Sequence, residues 1–160
     1  MRKGLAHASL ALEHAEEARP ALTARTKDDN SRRHVGVYAL YDWCFGMDPQ
    51  WLQDLDNDYM MFSHDHGLYF PPLTQGGWTR EELLSRADDP HELSDPRDGL
   101  QSEEAKRVAL ALEQVSRDVL AEVLRSVPAS WPVSDTELED LGWFLEHRAA
   151  GVAERVRNLA

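Results

Sequence analysis

The sequence predicts a mainly helical α+β domain that carries one small β-ribbon. Two apolar stripes at helical spacing occupy the C-terminal half, one after Ser102 and one after Ser134. The run from Ser31 to Phe45 is apolar nearly all round in its second half, which marks a buried helix. Between Trp51 and Phe62 short apolar runs flank an acidic reversal, Asp54 to Asp58, as in a two-stranded ribbon. With 160 residues, 42% of them hydrophobic, and five tryptophans, residues 1–160 suffice for one domain with its own core.

Taken in order, Leu5 to Arg19 reads as a helix rich in Ala and Leu, stopped by Pro20. Its apolar face is mostly alanine, so it needs a partner surface. Thr26-Lys27-Asp28-Asp29-Asn30 supplies N-caps for the Ser31–Phe45 helix, and Gly46 suits its C′ position. Asp48-Pro49 opens a turn, and Gln50 and Gln53 follow within the loop. Tyr59-Met60-Met61-Phe62 has β character and runs into Ser63-His64-Asp65. Leu68-Tyr69-Phe70 is a further apolar run closed by Pro71-Pro72, and Gly76-Gly77 ends this irregular portion. Thr79-x-x-Glu82 is a capping box before a short helix, Glu81 to Arg86. Residues 87–101 form a loop with two prolines. A long helix after Ser102 aligns Val108, Leu112, Val115, Val119, Val123 and Val127, and Pro128 ends it. Ser134-x-x-Glu137 opens the last helix, whose Leu138, Leu141, Leu145, Ala149, Val152, Val156 and Leu159 form a matching stripe. The two helices read as an antiparallel pair. The chain thus divides into an N-terminal helix (1–20), an irregular middle (21–77) and a helical region (78–160).

The only cysteine, Cys44, excludes an internal disulfide and fits a reducing cytoplasm; set in an apolar run, it reads as a packing thiol. No apolar h-region follows Met1-Arg2-Lys3, and no apolar run is long enough to span a bilayer, so a cytoplasmic protein without membrane attachment is expected. The formal charge is −12. Residues 1–34 hold seven Lys/Arg against five Asp/Glu, and the remainder holds ten against 24. An acidic body repels phosphate backbones, which disfavours nucleic acid as a partner.

Chemistry concentrates between Gly46 and Gly67. Asp48 and Asp65 each stand in a turn, on either side of the predicted ribbon, so the ribbon can bring both carboxylates to one end. Phosphoryl-transfer enzymes use one Asp to orient the attacking hydroxyl and another to hold Mg²⁺ on the nucleotide phosphates. Asp beside Gly is also ordinary turn chemistry. Asp54, Asp56 and Asp58 alternate as in a Ca²⁺ loop, but the glycine and terminal glutamate of an EF-hand are missing. His64 and His66 offer two zinc ligands where three or four are needed. No Gly-x-Ser-x-Gly elbow supports a serine hydrolase.

The run DDNSRRHVGVYALYDWCFGMDPQWLQDLDNDYMMFSHDHG resembles the C-terminal lobe of bacterial HipA-like kinases, relatives of the phosphatidylinositol 3-/4-kinase branch of the protein-kinase-like fold. The later PASWPVSDTELEDLGWFLEHRA resembles the closing helices of the same proteins, so the likeness covers residues 20–155. The resemblance implies a kinase C-lobe-like helical domain that uses ATP and Mg²⁺ to phosphorylate a hydroxyl on a protein or small molecule. It implies that Asp48 is the catalytic-loop Asp and that Asp65 is the Mg²⁺ ligand of an Asp-x-Gly motif, with His66 and Gly67 at the nucleotide. Gln53 stands where that fold has a metal-binding Asn, and Gln50 where the lipid-kinase branch has a His. Before Asp48 there is no glycine-rich loop, and the only lysines are Lys3 and Lys27. A nucleotide-binding lobe is therefore expected from an upstream segment or a partner chain, and little activity is expected without it. The alternative expectation is a non-catalytic, pseudokinase-like interaction module.

Overall fold

The computed structural model describes residues 12–18, 21–71 and 77–160. Helix α1 (Asn30–Trp43) lies at its centre, matching the predicted Ser31–Phe45 helix. Asn30, His34, Val35, Val37, Tyr38, Ala39, Tyr41 and Asp42 are all buried, so polar groups enter the interior along with apolar ones. The helix closes in a Schellman arrangement, with Phe45 N–H donating to the Asp42 carbonyl (3.2 Å) and Gly46 N–H to the Tyr41 carbonyl (2.8 Å). Its left-handed residue is Phe45, at φ 53°, so the expected assignment of Gly46 to C′ is corrected by one position. Gly46 is needed for space instead. A Cβ there would come within 2.7 Å of the Tyr41 ring and 2.8 Å of the Tyr69 ring.

Three short strands, β1 (Ala15–Ala18), β2 (Gln50–Asp54) and β3 (Met60–His64), form an antiparallel sheet in that order. The ribbon expected from sequence is the β2–β3 hairpin, with Gln50 opposite His64 and Asp54 opposite Met60. The third strand corrects the predicted Leu5–Arg19 helix: Ala15 to Ala18 is extended and pairs with Trp51 to Asp54. The rest of that prediction, and Pro72 to Gly76, lie outside the described residues apart from the stretch from Leu12 to His14. An alanine face buries too little to hold a short helix, whereas the open edge of β2 offers backbone partners. At the hairpin turn the Asp54 carboxylate accepts from Asp56 N–H (3.0 Å) and from the Asn57 amide (2.7 Å). That is turn closure, the ordinary role for such an Asp. Asn30 ties the other side of the sheet to α1. Its Oδ1 accepts from Met61 N–H (3.0 Å), and its Nδ2 donates to the carbonyls of Tyr59 (2.8 Å) and Ala24 (3.1 Å).

The C-terminal half folds as α2 (Arg80–Arg86), α3 (Ser102–Glu113), α4 (Arg117–Leu124) and α5 (Asp135–Arg157). Both predicted caps form: the Thr79 and Ser134 side chains accept from the N–H groups of Glu82 and Glu137, and Glu137 returns the bond to Ser134 N–H. The single long helix expected after Ser102 is two helices. Ser116 leaves the helical conformation and caps α4 by accepting from Val119 N–H, which a hydroxyl in mid-run is suited to do. The break turns the apolar stripe outward. Val119 and Val123 are 51% and 60% exposed rather than in the core, and α4 buries Leu120 instead. Helices α3 and α5 make the most extensive contact between any two elements, as their matched stripes predict.

Two buried clusters result. One joins Val35, Tyr38, Trp51, Met61, Ala105, Ala109 and Val152; the other joins Cys44, Phe45, Leu83, Leu120, Leu141, Phe144 and Leu145. Trp43 and Tyr69 pack against both.

Candidate functional site

The candidate site stands at the end of the β2–β3 hairpin away from its turn. Gln50 and His64 form the last cross-strand pair there, with Asp48 two residues before one and Asp65 one residue after the other. Both aspartates are exposed and left-handed, at φ 50° and 52°, a conformation that Asp accepts more readily than most residues. The Gln50 amide donates to Asp48 Oδ2 at 3.0 Å. After Asp65 the chain makes a single 3-10 turn, His66–Leu68, closed by Tyr69 N–H on the His66 carbonyl (3.1 Å). His66 Nε2 lies 3.1 Å from Ser63 Oγ, and its ring meets the Tyr69 ring edge-on, 4.8 Å between centres. Partial desolvation, with His64 adding to it and Asp65 opposing, holds the His66 imidazole below its ordinary range, so it is neutral at pH 7.

The hairpin end thus gathers Asp48 with Gln50, and Asp65 with His66 and Gly67. Gln53 is not among them. It lies on β2 between Met61 and Glu16, three residues from Gln50, which is roughly 10 Å along a strand. The expected loop placement of Gln50 and Gln53 is corrected, because β2 begins directly after Pro49. Among the described residues no group of three or more His, Cys, Asp or Glu is placed to hold a metal. Neither His64 with His66 nor the acidic turn gains, among the described residues, the further ligands that an all-protein zinc or calcium site needs. Mg²⁺ asks for less from the protein, often one or two carboxylates, with phosphate oxygens and water completing the octahedron. Asp48 and Asp65 fit that donor chemistry and supply no more than it.

Behind the Asp48 turn lies a buried charge network that the sequence reading did not find. The Asp42 carboxylate accepts from Arg148 (3.0 Å), from Arg155 (2.6 and 2.9 Å) and from His91 N–H (3.2 Å). Arg148 is fully buried. Its guanidinium also donates to the carbonyls of Asp42 and Trp43 at the end of α1, and of Arg86, Ala87 and Asp89 at and beyond the end of α2. A cation there serves two helix C-termini at once. The His91 ring stacks on Phe45 (3.9 Å) and Tyr41 (5.2 Å), and its Nε2–H donates to the Gly46 carbonyl (2.5 Å), two residues before Asp48. The available signal was a single Asp in the apolar second half of α1 and an Arg inside an apolar stripe. Cys44, buried beside this network, has its thiol pushed up to about 12, so it stays protonated as a packing thiol.

No family model, curated protein or solved structure matches the chain. Among the described residues no helix is long and apolar enough to cross a membrane.

Proposed function

We propose that this chain is the C-terminal half of a HipA-like phosphotransfer site, completed by a nucleotide-binding lobe from an upstream segment or a partner chain. In this reading Asp65 is the Mg²⁺ ligand on ATP, with His66 and Gly67 beside the nucleotide. Asp48, steadied by Gln50, orients the acceptor hydroxyl of a protein or small molecule. The observation that carries the reading is the hairpin register. With Gln50 opposite His64, a turn bearing one aspartate and a turn bearing the other flank the same end of one ribbon. The order helix, Asp turn, hairpin, Asp-x-Gly is also the order in which protein kinases present these groups. Gln53 plays no part in this reading, since it lies within β2 opposite Met61 rather than at the hairpin end.

Transfer of the labelled γ-phosphate of ATP, measured with any in-frame upstream lobe restored, tests the proposal. Loss of transfer in both Asp48→Asn and Asp65→Asn, with the fold retained, is the expected result; transfer that survives both contradicts it. A second reading, a non-catalytic interaction module, is favoured by the apolar side chains left in solvent on and after α4: Val119, Val123 and Trp131. Failure of the restored protein to bind ATP with Mg²⁺ would decide for that reading.

A further inference from the structure

We propose that His34 is an acid-operated latch, whose protonation releases residues 21–26 from α1 and from the 87–101 loop. The inference is independent of the phosphotransfer reading. His34 is fully buried in α1, and the Arg25 guanidinium donates to its Nδ1. The same guanidinium donates to the Pro96 carbonyl (2.6 Å) and to Tyr38 Oη (3.3 Å), while Tyr38 Oη–H donates to that carbonyl at 2.7 Å. Leu22 N–H donates to Asp95 Oδ2 at 2.5 Å, and the Leu22 side chain is buried. His34, Arg25 and Asp95 thus bind one connector to a helix and to a distant loop.

A guanidinium only donates, so Nδ1 must be the bare nitrogen of His34 and Nε2 must carry the proton. Nε2 is buried without a hydrogen-bond partner among the described residues. A second proton has one place to go, Nδ1, where it would face the Arg25 donor and break the contact. The charges around the ring oppose it too. Arg25 on the connector and Arg33 on α1 both act against an imidazolium; Tyr38 on α1 and Asp95 and Arg97 on the loop lie beyond the Arg25 guanidinium, and no carboxylate bonds the ring. Burial is the largest effect, and together these hold the ring's titration down to about 3. Once the connector lifts away, His34 reaches water and takes up the proton at its ordinary value. Acid therefore favours the open form.

Hydrogen exchange followed by NMR, corrected for the intrinsic pH dependence of exchange, tests the latch at the amides of Leu22 and Lys27. The opening constant should rise about 25-fold from pH 7 to pH 5, given titration at about 3 closed and 6.5 open. Neither His34→Gln, which keeps an acceptor for Arg25, nor His34→Phe should show that rise. Nitrogen shifts of the wild-type ring should report an Nε2–H imidazole, still neutral at pH 5. Titration of folded His34 near 6.5 would overturn the proposal. So would an equal rise in both variants, or exchange of Leu22 and Lys27 only in step with core amides such as Val152.

Discussion

Arg148 shows most clearly how single residues hold this fold. Its buried guanidinium spends every donor on Asp42 and on the carbonyls at the ends of α1 and α2. Arg148→Met would leave Asp42 with Arg155 as its one charged partner, beside the His91 N–H, and several carbonyls unpaired. Removing one partner of a buried pair costs about 3–5 kcal/mol, and urea denaturation should show a loss of that size. Gly46 makes the converse point. Its replacement by Ala drives a methyl into two tyrosine rings, and overpacking of that kind costs about 1–3 kcal/mol. The sequence showed a glycine at a helix end and suggested a backbone reason. The reason is steric, because Phe45 already supplies the left-handed residue, and only the folded positions of Tyr41 and Tyr69 reveal it.

At the scale of elements, α1 and α4 are opposites: one lies at the centre of the fold and the other leaves two valines in solvent. Trp43 packs against both buried clusters and donates its indole N–H to the Leu145 carbonyl (2.8 Å). Trp43→Ala should cost about 3–5 kcal/mol, and a loss under about 1 kcal/mol would contradict the central place of α1. Val119 and Val123 should behave differently. Their replacement by Ser should change stability by no more than about 0.5 kcal/mol, as for surface positions, whereas a core stripe would lose several times that. Caps and buried stripes were legible because they depend on neighbours a few residues apart. Thr79, Ser134 and the α5 stripe all fall where their spacing put them. The break at Ser116 and the strand at Ala15 to Ala18 were not legible. Each is decided by a partner far along the chain: Leu141 and its neighbours under α4 in one case, the open edge of β2 in the other.

Across the whole molecule, the acidic body and the buried His34 set the response to pH. The titration of His34 lies lower folded than unfolded, so the unfolded chain takes up its proton first as pH falls. Its contribution to stability is complete above about 6.5, is lost at up to about 1.4 kcal/mol per pH unit below that, and levels off near 3. Hydrogen bonds hold Asp28, Asp58, Glu104 and Glu137 below the usual carboxylate range, and these act in the same direction at lower pH. Stability should therefore fall from neutrality downward, and His34→Phe should flatten the upper part of that fall in thermal melts. The hairpin carrying Asp48 and Asp65 was readable from two apolar runs and an acidic turn. The network that backs it was not, since Asp42, His91, Arg148 and Arg155 meet only in the folded chain.

The proposed metal–phosphate site is the hairpin end, with Asp48 on one side and Asp65 on the other. With the nucleotide-binding lobe restored, paramagnetic broadening of amide resonances by Mn²⁺ in the presence of ATP tests it. The strongest broadening is expected at Asp48 and at Asp65 to Gly67, with little at Gln53 and loss of the effect in Asp65→Asn. Broadening centred on the acidic turn from Asp54 to Asp58, or none at the hairpin end, would contradict it.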